Sequence, residues 1–206
     1  MVTAMRHGTK CLTWRRLRLA ENTLVVLTSD NGGAPRTVAP LRGSKGSLYE
    51  GGIRVPCVVW GAGVQQPGRA SDEPILTMDF YPTLADLASA GDEIEKHAGR
   101  PPTQPIDGVS LLPILAQTGR LEREALFWHF PCYVGRSGPA SAIRAGEWKL
   151  IEWFEVSSLE LYNLRDDPGE TRDLADVEPE RFGKMRELLR SWQSSVKAPL
   201  PGPLAP

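Results

Sequence analysis

Residues 22–28 read Asn-Thr-Leu-Val-Val-Leu-Thr, almost wholly apolar and rich in β-branched side chains. A short apolar run without alternation predicts a strand buried on both faces of a parallel sheet. Gly32, Gly33 and Pro35 end it. Residues 57–60, Cys-Val-Val-Trp, predict a second buried strand, closed by Gly61 and Gly63. The period then changes. Phe80, Leu84 and Leu87 recur at helical spacing and predict a helix over 77–89, with Thr77 offering an N-cap oxygen and Asp79 favouring the helix start. Residues 92–105 are polar and Pro-rich and predict an exposed loop. Residues 109–116 predict a short helix interrupted or kinked near Pro113.

After about Gly119 the pattern changes again. Residues 125–130, 141–144, 148–154 and 159–163 are short, aromatic or branched runs separated by Gly, Pro or Ser. Consecutive strands with short connections favour an antiparallel sheet. Residues 179–196 predict a terminal helix, with Phe182, Met185, Leu188, Leu189 and Trp192 on one side. The Pro-rich tail from Pro199 is expected to fray. The fold class is therefore α/β: the edge of a mixed or parallel sheet with flanking helices, followed by a small antiparallel four-stranded sheet with a C-terminal helix. The expected organisation is an unassigned stretch over 1–20, part of an α/β domain over 21–120, a subdomain over 121–198 and a tail over 199–206. Two parallel strands and one helix cannot cover both faces of a sheet, so further N-terminal material is expected.

Composition narrows the partners. The chain has 206 residues, with 24 Lys plus Arg against 25 Asp plus Glu. That balance points to neither nucleic acid nor an acidic membrane surface. No apolar run approaches the roughly 20 residues of a spanning helix. The basic N-terminus lacks the apolar core of a secretory signal. Cys11, Cys57 and Cys132 are odd in number and far apart, forming neither a disulfide framework nor a zinc knuckle.

The chemistry concentrates in residues 29–56. Asp30 and Asn31 follow a strand end, where ligand sites of α/β sheets lie. A carboxylate and a carboxamide are hard oxygen donors suited to Ca²⁺ or Mg²⁺; a strand-ending Asx turn explains the same pair. Lys45, flanked by Gly43 and Gly46, is either a mobile charge for a sulfate or phosphate oxygen or a solvated lysine. Arg54 could pair with Glu50 or with an anion, and a structural ion pair with Glu50 is the favoured reading. His129, in Phe-Trp-His-Phe-Pro-Cys-Tyr, either hydrogen-bonds a ligand or packs between Trp128 and Phe130. His7 and His97 read as solvated, and Ser110 as a helix cap. Trp148, Trp153, Phe154 and Tyr162 read as sheet packing. Arg144 and Lys149 either face the pocket or, as the favoured reading, are exposed strand charges. No Gly-x-Ser-x-Gly elbow occurs.

The order of the motifs is more specific than any one of them. Asp30-Asn31-Gly32-Gly33, then Gly43-Ser44-Lys45-Gly46, then Tyr49-Glu50-Gly51-Gly52-Ile53-Arg54-Val55-Pro56 closely resemble the sulfatase family. That is the formylglycine-dependent type I group of the alkaline phosphatase superfamily. The likeness continues through Thr77-Met78-Asp79-Phe80-Tyr81-Pro82-Thr83, Asp107-Gly108-Val109-Ser110-Leu111 and Leu159-Glu160-Leu161-Tyr162-Asn163 to Asp167-Pro168-Gly169-Glu170. It spans roughly residues 19–189 and matches the family's C-terminal portion.

The resemblance implies hydrolysis of a sulfate ester on a sulfated small molecule or glycan, without nucleic-acid or membrane partners. It implies Asp30 and Asn31 as ligands of a divalent cation, Ca²⁺ or possibly Mg²⁺. Lys45 would be a catalytic, sulfate-contacting residue. His129 would be a substrate contact, with Cys132 where many bacterial members carry a second histidine. For a full-length bacterial form it implies a periplasmic or secreted location. The family's Cys-x-Pro-x-Arg or Ser-x-Pro-x-Arg segment, source of the formylglycine nucleophile, does not occur in these residues, nor does its N-terminal Asp pair. The chain alone is accordingly expected to be inactive. Alternatives are a related metal-dependent phosphohydrolase or phosphonate monoester hydrolase, or a non-catalytic interaction module.

Overall fold

A computed structural model describes residues 16–88, 106–133 and 137–201. Cys11, His7, His97, Ser89 and the predicted loop 92–105 lie outside the described residues. In chain order the elements are β1 (Leu24–Thr28), α1 (Pro35–Val38), α2 (Glu50–Ile53), β2 (Cys57–Gly61), α3 (Phe80–Leu87), α4 (Leu112–Leu115), β3 (Leu126–Phe130), β4 (Ala140–Ala145), β5 (Trp148–Trp153), β6 (Ser158–Asn163) and α5 (Pro179–Ser195). The chain divides into two compact units. Among the described residues no helix is long and apolar enough to cross a membrane.

The first unit comprises residues 1–27 and 57–123. Strands β1 and β2 form a two-stranded sheet. Neither is buried on both faces as its apolar run predicts: Leu27 is 68% exposed and Val58 58%. The physical reason is that each strand has one neighbour, and no second layer encloses them among the described residues. The start of α3 also differs from expectation. Thr77 makes no side-chain cap; instead a 3-10 turn over Thr77–Asp79 leads into α3, and Asp79 folds back to accept from the Leu76 N–H at 2.7 Å. Asp79 is 0% exposed and also accepts from the Val109 N–H (3.0 Å) and twice from Arg123 (3.1 and 2.8 Å). Thr83 extends this node: its hydroxyl donates to the Asp79 carbonyl and accepts from the Leu111 N–H. Pro113 does not kink a helix. It lies in the first turn of α4, where its missing N–H would have had no intrahelical acceptor.

The second unit comprises residues 28–56 and 124–206. Strands β3–β6 form an antiparallel meander in sequence order, with Ile143 opposite Leu150 and Leu150 opposite Leu161. Alternation sends Ile143, Leu150 and Leu161 to one face, where Met185 and Leu189 of α5 cover them. Phe127 stacks on Trp192 there, with ring centroids 4.8 Å apart. The other face carries Ala140, Ala142, Ile151 and Tyr162, and it is covered too: Leu48 is buried against it, with Tyr49 and Ile53 packed alongside. This second cover overturns the reading of Lys149 as an exposed strand charge. Lys149 lies on that face of β5 and is 0% exposed. The sheet is thus the middle of three layers.

Candidate functional site

The segments carrying Asp30, Lys45 and Glu50 are laced together by main chain within the second unit. The Gly32 N–H donates to the Gly52 carbonyl (2.8 Å), the Lys45 N–H to the Gly33 carbonyl (3.1 Å), and the Gly51 N–H to the Arg42 carbonyl (2.7 Å). Glycine is required by this proximity. A Cβ on Gly32 would run into the Gly51 carbonyl oxygen, and one on Gly52 into the Ser47 carbonyl oxygen. The Ser29 hydroxyl donates to the Asn31 carbonyl at 2.9 Å and steadies the turn. Asp30 and Lys45 remain exposed and Asn31 half-buried. The structure therefore brings the Asp30–Asn31 loop and the Lys45 loop together.

One carboxylate and one carboxamide suit a hard divalent cation in kind. They fall short in number, since Ca²⁺ takes about six to eight oxygens. Among the described residues no group of three or more His, Cys, Asp or Glu side chains is placed to hold a metal.

Beneath these loops lies an ion cluster. Lys149 Nζ is 2.9 Å from Glu50 Oε1 and 2.8 Å from Glu170 Oε1. The first contact is a hydrogen bond; the second is an ion pair without hydrogen-bond geometry, leaving Glu170 Oε1 without a hydrogen-bond donor. Glu170 Oε2 accepts from the Glu50 N–H at 2.7 Å. All three side chains are enclosed. Burial pushes the Glu170 carboxyl above its ordinary pKa, opposed by Lys149 and the Glu50 N–H. Arg54 does pair with Glu50, at 3.7 Å, as expected, and Arg144 approaches the same oxygen at 4.0 Å.

A second network holds Arg42. Its guanidinium lies 4.0 Å from the Tyr49 ring centroid and donates to the Tyr162 hydroxyl (2.8 Å) and the Glu170 carbonyl (2.9 Å). Both tyrosine hydroxyls donate to Glu160 Oε2, at 2.6 and 2.8 Å. Burial and that carboxylate push both phenols well above the ordinary tyrosine pKa. Beside this network an open cleft of about 400 Å³ is lined by Arg42, Ser44, Ser47, Tyr49, Trp153 and Glu155.

His129, on β3, is engaged at both ring nitrogens. Nδ1 lies 2.6 Å from the Ser141 hydroxyl and Nε2 2.8 Å from the Pro199 carbonyl. A carbonyl only accepts, so Nε2 carries the proton. This bond places Pro199 against β3; residues 202–206 lie outside the described residues. Sequence reasoning favoured an exposed Lys149 over a pocket-facing one and gave Glu170 no role of its own. Their only signal was Glu170 in the Asp-Pro-Gly-Glu turn, and its partner Glu50 lies 120 residues away.

Comparisons with known proteins bear on these loops. The family model described as Sulfatase matches residues 14–90. A curated "Sulfatase" of Formosa agariphila is 38% identical over 197 residues, covering 88% of this chain and 34% of that protein. Human "Arylsulfatase A" is 32% identical over 205 residues, covering 84% and 38%. The solved structure of Ps i-CgsB in complex with k-i-k-neocarrahexaose is similar at TM-score 0.70 and 26% identity, covering 90% of this chain and 39% of that one. A structure of BT1596, a 2-O GAG sulfatase, gives TM-score 0.65 at 26% identity, covering 86% and 37%. The chain spans about a third of the length of the curated relatives it matches.

Proposed function

Because this chain belongs to the sulfatase family, we propose that it forms the C-terminal portion of a hydrolase of sulfate esters. Asp30 and Asn31 supply two oxygen ligands to a divalent cation, Ca²⁺ before Mg²⁺. Lys45 neutralises charge on the transferring sulfate. The observation that carries this reading is the lacing of Lys45 to Gly33 and of Gly32 to Gly52, which holds a hard-oxygen pair and a free-standing cation in neighbouring loops. A bound cation supplies Lewis-acid polarisation of the ester. The remaining ligands and the formylglycine nucleophile come from a segment outside these residues.

The substrate is a sulfated glycan rather than a simple aryl sulfate. The cleft beside Ser44 combines aromatic faces, three serine hydroxyls, one guanidinium and one carboxylate, a mixture suited to a polar ring. Ps i-CgsB, at 26% identity, was solved with a neocarrahexaose. His129 reaches such a ligand only by exchanging the Pro199 carbonyl for a ligand oxygen as acceptor of its Nε2–H.

The test is sulfate release. The 206-residue chain alone leaves 4-nitrophenyl sulfate intact; turnover would contradict the missing-nucleophile reading. Joined to an upstream segment carrying Cys-x-Pro-x-Arg, it releases sulfate from sulfated disaccharides but no phosphate from 4-nitrophenyl phosphate. In that joined protein Asp30→Ala or Asn31→Ala weakens Ca²⁺ binding, read by calorimetry, by about tenfold or more. Unchanged Ca²⁺ affinity in both variants removes these residues from the metal site.

A further inference from the structure

We infer that the Glu50–Lys149–Glu170 cluster is the positioning element that holds the Asp30–Asn31 and Lys45 loops in one geometry. The importance of those loops rests on the proposed function; the mechanical claim does not.

Helix α2 is four residues long and includes Gly51 and Gly52. A single turn with two glycines has negligible intrinsic stability. Its position must be imposed by tertiary contacts, yet both loops hang on it. Gly52 receives the Gly32 N–H and Gly51 donates to the Arg42 carbonyl. The apolar neighbours Leu48 and Ile53 hold α2 against the sheet, but apolar contact is non-directional, and the Tyr49 hydroxyl bonded to Glu160 orients the residue before the turn rather than the turn itself.

Direction comes from the charges. Glu170 Oε2 accepts the Glu50 N–H, the first donor of the turn, and Lys149 Nζ reaches the carboxylates of both Glu50 and Glu170. Lys149 projects from the middle of β5, which pairs with β4 and β6 on either side. A strand held on both edges thereby fixes the orientation of a turn that cannot hold itself. Buried ion clusters contribute little net stability over apolar packing, and registry is their best-attested use. Lys149 faces two carboxylates, and Arg54 and Arg144 supply further positive charge near Glu50 Oε2.

Amide hydrogen exchange on the full chain tests this without metal or ester, so its outcome is independent of the proposed chemistry. Glu170→Ala removes the acceptor of the Glu50 N–H. Lys149→Met removes the shared cation. Each is expected to accelerate exchange at Gly32, Lys45 and Gly51 by about tenfold or more, while β5 and β6 amides change by less than about threefold. Glu170→Gln, which keeps an acceptor, restores most of the protection lost in Glu170→Ala. Unchanged loop amides in both variants overturn the inference. So does equal acceleration in loops and strands, which marks general destabilisation. If Lys149→Met does not fold, the Glu170→Ala and Glu170→Gln pair decides, because both leave the Lys149–Glu50 bond in place.

Discussion

In the sheet of the second unit Ala142, Ile143, Leu150, Ile151 and Leu161 are wholly enclosed, whereas Leu27 of β1 and Val58 of β2 in the first unit stand mostly exposed. All of these strands are short; the apolar run is unbroken over residues 24–27 and 57–60, whereas apolar and polar residues alternate in β6 and charged residues interrupt β4 and β5. What decides burial is the layering. The four-stranded sheet has α5 on one face and residues 48–53 on the other. In the first unit the enclosed side chains among the described residues are Asp79, Thr83 and Leu111, and the two polar ones tie Leu76, Val109, Leu111 and Arg123 together. An apolar run states what a strand would bury; whether it is buried depends on elements elsewhere in the chain.

The largest expected effects come from removing each unit's anchor. Asp79→Ala strands the Arg123 guanidinium and the Leu76 and Val109 N–H groups, and breaking a buried pair on one side costs about 3–5 kcal/mol. Leu161→Ala in the second unit costs about 2–5 kcal/mol through lost burial and a cavity. Urea unfolding followed by tryptophan fluorescence measures both. If Asp79→Ala costs under about 1 kcal/mol while Leu161→Ala shows its full loss, the first unit is not held by its polar node.

How much of this was legible follows from the range of each signal. The bounds of β3–β6 and α5 differ from the sequence expectation by a residue or two, because aromatic and branched runs and helical spacing are local. The neighbourhood of Asp30 and Lys45 was legible through the order of several motifs. The reason Gly32 and Gly52 must be glycine was not, since each answers to a carbonyl in another loop segment. Lys149 looked like any strand lysine between Trp148 and Leu150. Its environment is set by Glu50, 99 residues earlier, and by Glu170 beyond the next strand. Asp79 read correctly as a helix-start residue, while Arg123, 44 residues on, carried no mark of the pairing.

A smaller effect separates the polar part of the second unit from its apolar core. Tyr49 and Tyr162 have phenol pKa values raised above the ordinary tyrosine value by burial and by Glu160. The folded chain therefore keeps protons that the unfolded chain releases. By linkage this stabilisation is fully present below the unfolded tyrosine pKa of about 10 and is lost as pH rises above it. Absorbance at the tyrosinate band is expected to show these two phenols ionising only as the unit unfolds. The Tyr49→Phe, Tyr162→Phe double variant flattens the alkaline loss of stability. An unchanged alkaline slope in that variant would mean that Glu160 does not hold the two protons.

The smallest expected change is at β1, and it sharpens the comparison most. Leu27 is 68% exposed, so Leu27→Ser removes little buried apolar surface. An exposed strand position away from caps, charges and cavities changes stability by no more than about 0.5 kcal/mol. The same substitution at Leu161, an enclosed strand leucine, would add a buried hydroxyl to a lost side chain. Equal apolar character with opposite consequences is what the layering argument requires. Urea unfolding of Leu27→Ser in the 206-residue chain is the measurement. A loss above about 1 kcal/mol would mean that β1 is covered in solution and that the contrast between the two sheets does not hold.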